Sequence, residues 1–262
     1  MSSTLARARP GASSGGISLA LGGLDELGHR VADATTLSSV TTPLRPSLRP
    51  IVAVHAALFV GGAVALSLDA TAQGWGVLVC VAAYVGALLW VCRSTRQVDL
   101  FALAAFTALV SVFQVLPDWV LADLVGTLRF PDTGGPRVDD VIPLAMAAMW
   151  VAPLFASVAL SGRRPGRAAL LAGLVFFGAE LLAPTWGLWE PTGDTHRYLG
   201  VAIYVVPAEA ALGWATATAF AHVQHRRLLP QIGAALAVST FYLGALVLAH
   251  FLIDVAGWRI TA

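Results

Sequence analysis

Seven long apolar runs, separated by short polar connections, set the pattern of this chain. They cover about Ile51–Leu68, Trp75–Cys92, Leu100–Val125, Val141–Ser161, Ala168–Thr185, Tyr198–Val223 and Ile232–Gly257. Each approaches or exceeds the roughly 20 residues needed to cross hydrocarbon. In lipid such a run must be helical, because every backbone polar group has to find its partner within the segment. Pro50 opens the first run and Asp69 closes it, and Arg93 stops the second. The pattern predicts an all-α polytopic membrane bundle of seven transmembrane helices, in one domain over residues 49–262. Residues 1–48 hold no comparable run. They are rich in Ser, Gly, Ala and Arg, with Pro10, Pro43 and Pro46. They read as a disordered cytoplasmic tail, save for a short amphipathic piece around residues 17–32. Nothing there has the apolar core and cleavage site of a signal peptide.

Composition agrees. Hydrophobic residues make up 57% of the chain and charged residues only 12%, with a mean hydropathy of +0.76. A soluble domain carries about 25% charge. A net charge of +1 gives no basic field for nucleic acid. The basic residues are all Arg, which excludes Schiff-base lysine chemistry. Cys80 and Cys92 lie in one run, roughly 18 Å apart along a helix. They cannot pair within that helix and form no metal motif.

Arginine placement predicts the orientation. Arg45, Arg49, Arg93, Arg96, Arg163, Arg164, Arg167, Arg226 and Arg227 fall on one side, and Arg129, Arg137, Arg197 and Arg259 on the other. The positive-inside rule then puts the N-terminus inside and the C-terminus outside, in a multi-pass protein of the cell membrane. Two loops dense in turn residues, Thr127–Asp140 and Trp186–Arg197, fall on the outer face and are expected to cover it as a lid.

The candidate chemistry lies in polar groups set at membrane depth. A carboxylate there costs about 2.5 kcal/mol or more on insertion scales, so it is a site candidate by default. In the third run Thr107, Ser111, Gln114 and Asp118 recur on one helical face, which should point into the bundle. Pro117 should kink this helix and free a backbone carbonyl just before Asp118. The fifth run carries Glu180 one turn after Phe176 and Phe177, and the sixth carries Glu209 two residues after Pro207. An acid buried at mid-depth is expected to be neutral and able to donate a proton, which makes Glu209 the leading donor. Asp118, Glu180 and Glu209 are expected to line one cavity. Each also has a plainer reading as interhelical hydrogen-bonding glue.

His250 and Asp254 form an i, i+4 pair in which Asp254 would orient His250, or alternatively two interfacial polar residues. His55 reads as interfacial. His222 and His225 lie beside Arg226 and Arg227 at a helix end, where cations are favoured. Trp75, Trp90, Trp119 and Trp258 suit an aromatic belt. Trp186 and Trp189 are either belt or an aromatic wall beside Glu180. Nucleotide fingerprints, P-loops, HExxH, nucleophile elbows and zinc spacings are missing from the sequence.

The stretch from Glu180 to Gly213 resembles the lycopene cyclase domain of carotenoid pathways. In that family an acidic residue precedes a G-x-W turn, and the next helix carries Gly and Pro-x-Glu-Glu. Here Glu180, Gly187, Trp189, Gly200, Pro207 and Glu209 match, over about 35 of 262 residues. Ala210 replaces the second glutamate, and Glu180 stands where the family usually has Asp. The stretch is also similar to the related small membrane-bound terpene cyclases of meroterpenoid pathways. That resemblance implies a cofactor-independent, metal-independent isoprenoid cyclase or isomerase of seven helices. Its substrate would be a lipid-soluble prenyl compound other than lycopene, met among the membrane lipids. It implies Glu209 as acid, and Glu180 or Asp118 as the group that tunes it or removes the final proton. Trp186, Trp189, Gln114, Phe177 and His250 would contact substrate. Two other classes stay open: a proton-coupled transporter or channel using the same acids as relays, and a non-catalytic scaffold. Whether the chain forms a homo-oligomer is also open.

Overall fold

The computed structural model of the protein describes residues 48–256. The tail, the piece around residues 17–32, and Arg45, Trp258 and Arg259 lie outside those residues. The helices are α1 (Arg49–Leu66), α2 (Ala70–Ser94), α3 (Val98–Phe113), α4 (Val115–Trp119), α5 (Met146–Met149), α6 (Val151–Leu160), α7 (Pro165–Leu182), α8 (Val205–Val223) and α9 (Leu228–His250). A π-helical turn, Val120–Val125, continues α4, and another, Phe251–Val255, continues α9. The protein is all-α in its regular core, and each apolar run of the sequence supplies a helix. Five helical stretches are long and apolar enough to cross a membrane: 49–66, 70–94, 98–125, 165–182 and 228–255. The stretch 146–160 is apolar but shorter.

Start and stop signals are local. Pro50 and Pro165 sit in the first turns of α1 and α7, where the missing N–H is not needed. Asp69 caps α2 by accepting from the Thr71 and Ala72 amides, both at 3.1 Å. The Thr71 hydroxyl and these two amides hold the Asp69 carboxyl below its ordinary range.

Two expected helix starts need correction. Residues 141–145 and 198–204 are not helical. They belong to hairpins in which β2 (Arg137–Val138) pairs with β3 (Ile142–Pro143), and β5 (Arg197–Tyr198) pairs with β6 (Val201–Ala202). Leu199 (φ 52°) and Gly200 (φ 86°) form the two-residue turn between β5 and β6. A turn with both residues at positive φ suits the twist of such a hairpin. Ile142, Val201 and Ala202 are apolar and buried, so by composition alone they extend the helical runs that follow.

The loops lie at one end of the bundle, the loop end, and are tied to each other. β1 (Leu128–Arg129) pairs with β4 (Glu190–Pro191), and Arg129 bonds Glu190 across the pair. The Thr192 amide donates to the Thr127 carbonyl at 2.9 Å. The Gln73 side-chain amide of α2 donates to the Trp186 carbonyl at 2.7 Å, so the loops are anchored to the helix beneath. At the opposite, arginine-rich end, Arg163 bonds Asp99 and Gln224, each at 3.0 Å.

Packing fixes the helices that carry the acids. α7 and α8 approach so closely at Gly213 that a Cβ there would lie 2.3 Å from the Ala172 Cβ and 2.7 Å from the Ala168 carbonyl oxygen. Small residues at such contacts are how membrane helices gain van der Waals packing. The Pro117 effect is also present. Pro117 has no N–H to offer the carbonyl of Phe113, four residues back. The Ser239 hydroxyl of α9 donates to that carbonyl at 2.7 Å, which closes the gap and joins α9 to the bend.

Candidate active site

The polar stripe on α3 and α4 faces inward as its spacing requires. Thr107, Ser111, Gln114 and Asp118 are all buried. Asp118 accepts from the Trp150 indole N–H at 3.2 Å. Glu180, two residues before the end of α7, accepts from the Trp189 indole N–H at 2.9 Å. A buried indole needs an acceptor for its N–H, so each carboxyl also fixes an aromatic ring in place. Both acids line one small chamber of about 30 Å³, with Trp150, Trp189, Tyr204, Tyr242, Phe130 and Met146 among its walls. That volume has room for a water molecule or two. Thr127, Leu128 and Pro191 complete it from above, so the joined loops do form its lid.

Glu209 sits near the start of α8, is 1% exposed, and its Oε2 has no hydrogen-bond partner. It does not line the chamber, yet it lies within Coulombic reach of both Glu180 and Asp118. The three acids therefore lie near one another, with Asp118 and Glu180 on the chamber lining and Glu209 off it. Among the described residues no Arg or His is hydrogen-bonded to any of them. Further unpartnered buried groups, Ser111 Oγ, Ser157 Oγ and both amide atoms of Gln114, come from α3, α6 and the α3–α4 junction.

The remaining sequence candidates divide. Trp189 belongs to the chamber. Gln114 lies one helical turn below Asp118 but not on the lining. Phe177 packs against the core next to Phe176, and Phe176 rests on Trp150 with ring centroids 5.0 Å apart. Trp186 is 44% exposed and stands outside the chamber. His250 also stands outside, behind Tyr204, with ring centroids 5.1 Å apart. Its Nδ1 bonds Asp254 Oδ2 at 3.0 Å, the pairing expected from the sequence. His55 bonds the Ile51 carbonyl oxygen and the Tyr84 hydroxyl, at 2.9 and 3.0 Å.

Sequence reasoning missed Trp150, Tyr204, Tyr242 and His196. The first three are polar-tipped aromatics inside apolar stretches. Their signal is that a buried indole N–H or phenol needs a partner, and carboxyls were available. His196 gave no signal, because it lies in a loop. Among the described residues no three His, Cys, Asp or Glu side chains are grouped as metal ligands.

No curated protein and no solved structure matches the chain. Residues 115–253 match a family described as a domain of unknown function, DUF6989. That span is just over half of the chain, and it contains all three acids and both indoles that hold them. The chain belongs to the DUF6989 family.

Proposed function

We propose that the chamber is the active site of a membrane-embedded isoprenoid cyclase that works by protonating a lipid-soluble prenyl substrate. One observation carries this reading: two carboxyl groups line a small aromatic-walled chamber, and a third, buried carboxyl lies within Coulombic reach of both. Asp118 and Glu209 are buried and Glu180 is half-buried, and three negative charges there with no cation bonded to them among the described residues would cost several kcal/mol, so a chamber built this way carries protons. A carboxyl proton adds to a carbon–carbon double bond, and the cation closes a ring through the next double bond. A carboxylate then takes a proton from the ring to leave an alkene. One proton enters and one leaves, so the site ends as it began. The faces of Trp150, Trp189, Tyr204 and Tyr242 suit the intervening cation.

In this reading Asp118 and Glu180, on the lining, are the two groups placed to reach a bound substrate, and Glu209, near both but off the lining, supports them. This changes the role expected for Glu209 from its mid-depth position alone. The chamber holds no space for a prenyl chain as it stands, so entry requires the loops and the helices beneath them to part. The resemblance of the 180–213 stretch to lycopene cyclase domains agrees with this chemistry. The unpartnered Ser111, Ser157 and Gln114 favour a second reading, a proton-coupled transporter that hydrates this track.

The same proposal includes seven crossings with the N-terminus inside, in the cell membrane. The arginine asymmetry supports it, as do the seven apolar runs of the sequence. Reporter fusions after Arg96 and Arg227 should read cytoplasmic, and one after Asp132 external; an external signal at Arg96 overturns this topology. The function is tested by supplying prenylated lipids to membranes holding the wild type, Asp118→Asn and Glu180→Gln. Cyclised product from the wild type alone is expected. Equal product from all three excludes the mechanism, and proton-driven uptake without product favours the transporter.

A further inference from the structure

A second polar cluster sits beside the chamber at the loop end, and the chemistry above makes no use of it. The Asp254 carboxylate, 1% exposed at its side chain, accepts three hydrogen bonds. Its Oδ1 takes the His196 backbone N–H at 2.7 Å and the His196 Nδ1 at 2.8 Å, and its Oδ2 takes the His250 Nδ1 at 3.0 Å. Asp254 belongs to the π-helical turn that ends the α9 stretch, whereas His196 immediately precedes β5. One carboxylate therefore fastens the end of α9 to the start of the β5–β6 hairpin.

What it fastens matters to the chamber. β6 contributes Ala202 to the lining, and Tyr204 and Val205 follow at once. The Ile203 amide donates to the His196 carbonyl at 2.9 Å, so the two arms of the hairpin move as a unit. Asp254 also holds the His250 ring, which backs the Tyr204 ring edge-on. The Tyr204 hydroxyl in turn donates to Thr127 at 2.8 Å, under the first loop. Gly193 (φ 67°) precedes the fastening, at a conformation glycine adopts without strain, and offers a backbone hinge ahead of the hairpin. One carboxylate thus ties the base of the hairpin to α9.

We propose that His196, Asp254 and His250 are positioning residues that latch the β5–β6 hairpin and so seal this wall of the acid chamber against water. When the latch releases, Ala202 and Tyr204 swing away from the chamber and admit water and ligand from the loop end. The inference stands on geometry and does not depend on the reaction proposed above.

The test uses full-length protein in detergent, where both ends of the bundle meet water. Ala202→Cys is placed in a Cys80→Ala/Cys92→Ala background, and modification by a charged thiol reagent is timed. Slow labelling is expected with the latch intact. Breaking hydrogen bonds to a charged acceptor should speed it, by about tenfold or more for Asp254→Ala and by a few-fold for His196→Ala. His196 is exposed, so its loss leaves the core untouched. His225→Ala, at the opposite end, should change nothing. Thermal unfolding of each variant separates release of the latch from general loosening. Labelling that is equally slow in Asp254→Ala and His196→Ala overturns the latch. So does labelling already fast with the latch intact, or an acceleration matched by His225→Ala.

Discussion

The α1–α2 hairpin and the α3–α9 bundle are both built from apolar helices, and they hold opposite kinds of space. α1 and α2 border an apolar cleft of about 690 Å³, lined by residues such as Leu58, Gly61, Ala65, Gly76 and Cys80. The acid chamber is more than an order of magnitude smaller, at about 30 Å³. Yet every buried Ser, Thr, Gln, Asp and Glu side chain among the described residues, from Thr107 to Ser239, lies in the α3–α9 bundle or its loops. The contrast separates two questions that hydropathy merges. Apolar length says where a chain meets lipid. Polarity kept at depth, against its cost, says where it does chemistry. Size of cavity answers neither.

The largest effects should fall on the chamber and spare the hairpin. If the proposed reaction holds, Asp118→Asn and Glu180→Gln each lower product formation about 10²–10⁴-fold, the usual loss for a proton-transfer group. Glu209→Gln should lower it less, since Glu209 does not face the chamber. His55→Ala, between α1 and α2, should leave the rate near wild type. Product assays on membranes with matched expression decide this. A His55→Ala loss as deep as that of Asp118→Asn breaks the comparison.

A packing contrast comes next. Gly213→Leu forces atoms into Ala172 and the Ala168 backbone, and overpacking of this kind costs about 1–3 kcal/mol or more. Gly62 and Gly86, on α1 and α2, have open space around an added Cβ, so alanine there should cost no stability. Thermal unfolding in detergent reads the difference. Equal losses at Gly213 and Gly86 would mean that α7 and α8 are not clamped as described.

Smaller still is Ser239→Ala. It leaves the carbonyl that Pro117 freed without its donor, at about 0.6–2 kcal/mol for a hydrogen bond between membrane helices. Restoring the backbone donor with Pro117→Ala in the same chain should recover part of that loss. The smallest effect is expected for Arg129→Ala. Its exposed pair with Glu190 should be worth about 0–1 kcal/mol and fade with salt.

Much of this was legible in the sequence. The face of Thr107, Ser111, Gln114 and Asp118 follows from helical period alone, and all four are buried. The bend at Pro117 follows from its missing N–H, although nothing local names Ser239 as the replacement donor. Glu180 and Glu209 stood out because charge in an apolar run needs a reason. Their partners did not. Trp150 lies between Met149 and Val151, where apolar neighbours conceal a polar tip. The β5–β6 hairpin was hidden because Val201 to Val206 reads as the opening of α8, and only Gly200 marks the turn. Trp186 and Trp189 looked equivalent in sequence, but the turn at Gly187 (φ 65°) sends one outward and the other onto Glu180.

The central claim is that the chamber gives a proton to a lipid-soluble substrate, and isotope transfer measures that directly. Membranes carrying the protein are incubated in D₂O with candidate prenylated lipids, and the products are examined by mass spectrometry. The account predicts a cyclised product that has gained a deuteron at the protonated carbon and lost a proton elsewhere. It also predicts that Asp118→Asn and Glu180→Gln do not make this product. No cyclised product from any prenyl lipid, a product without solvent deuterium, or the same labelled product from both variants would contradict it.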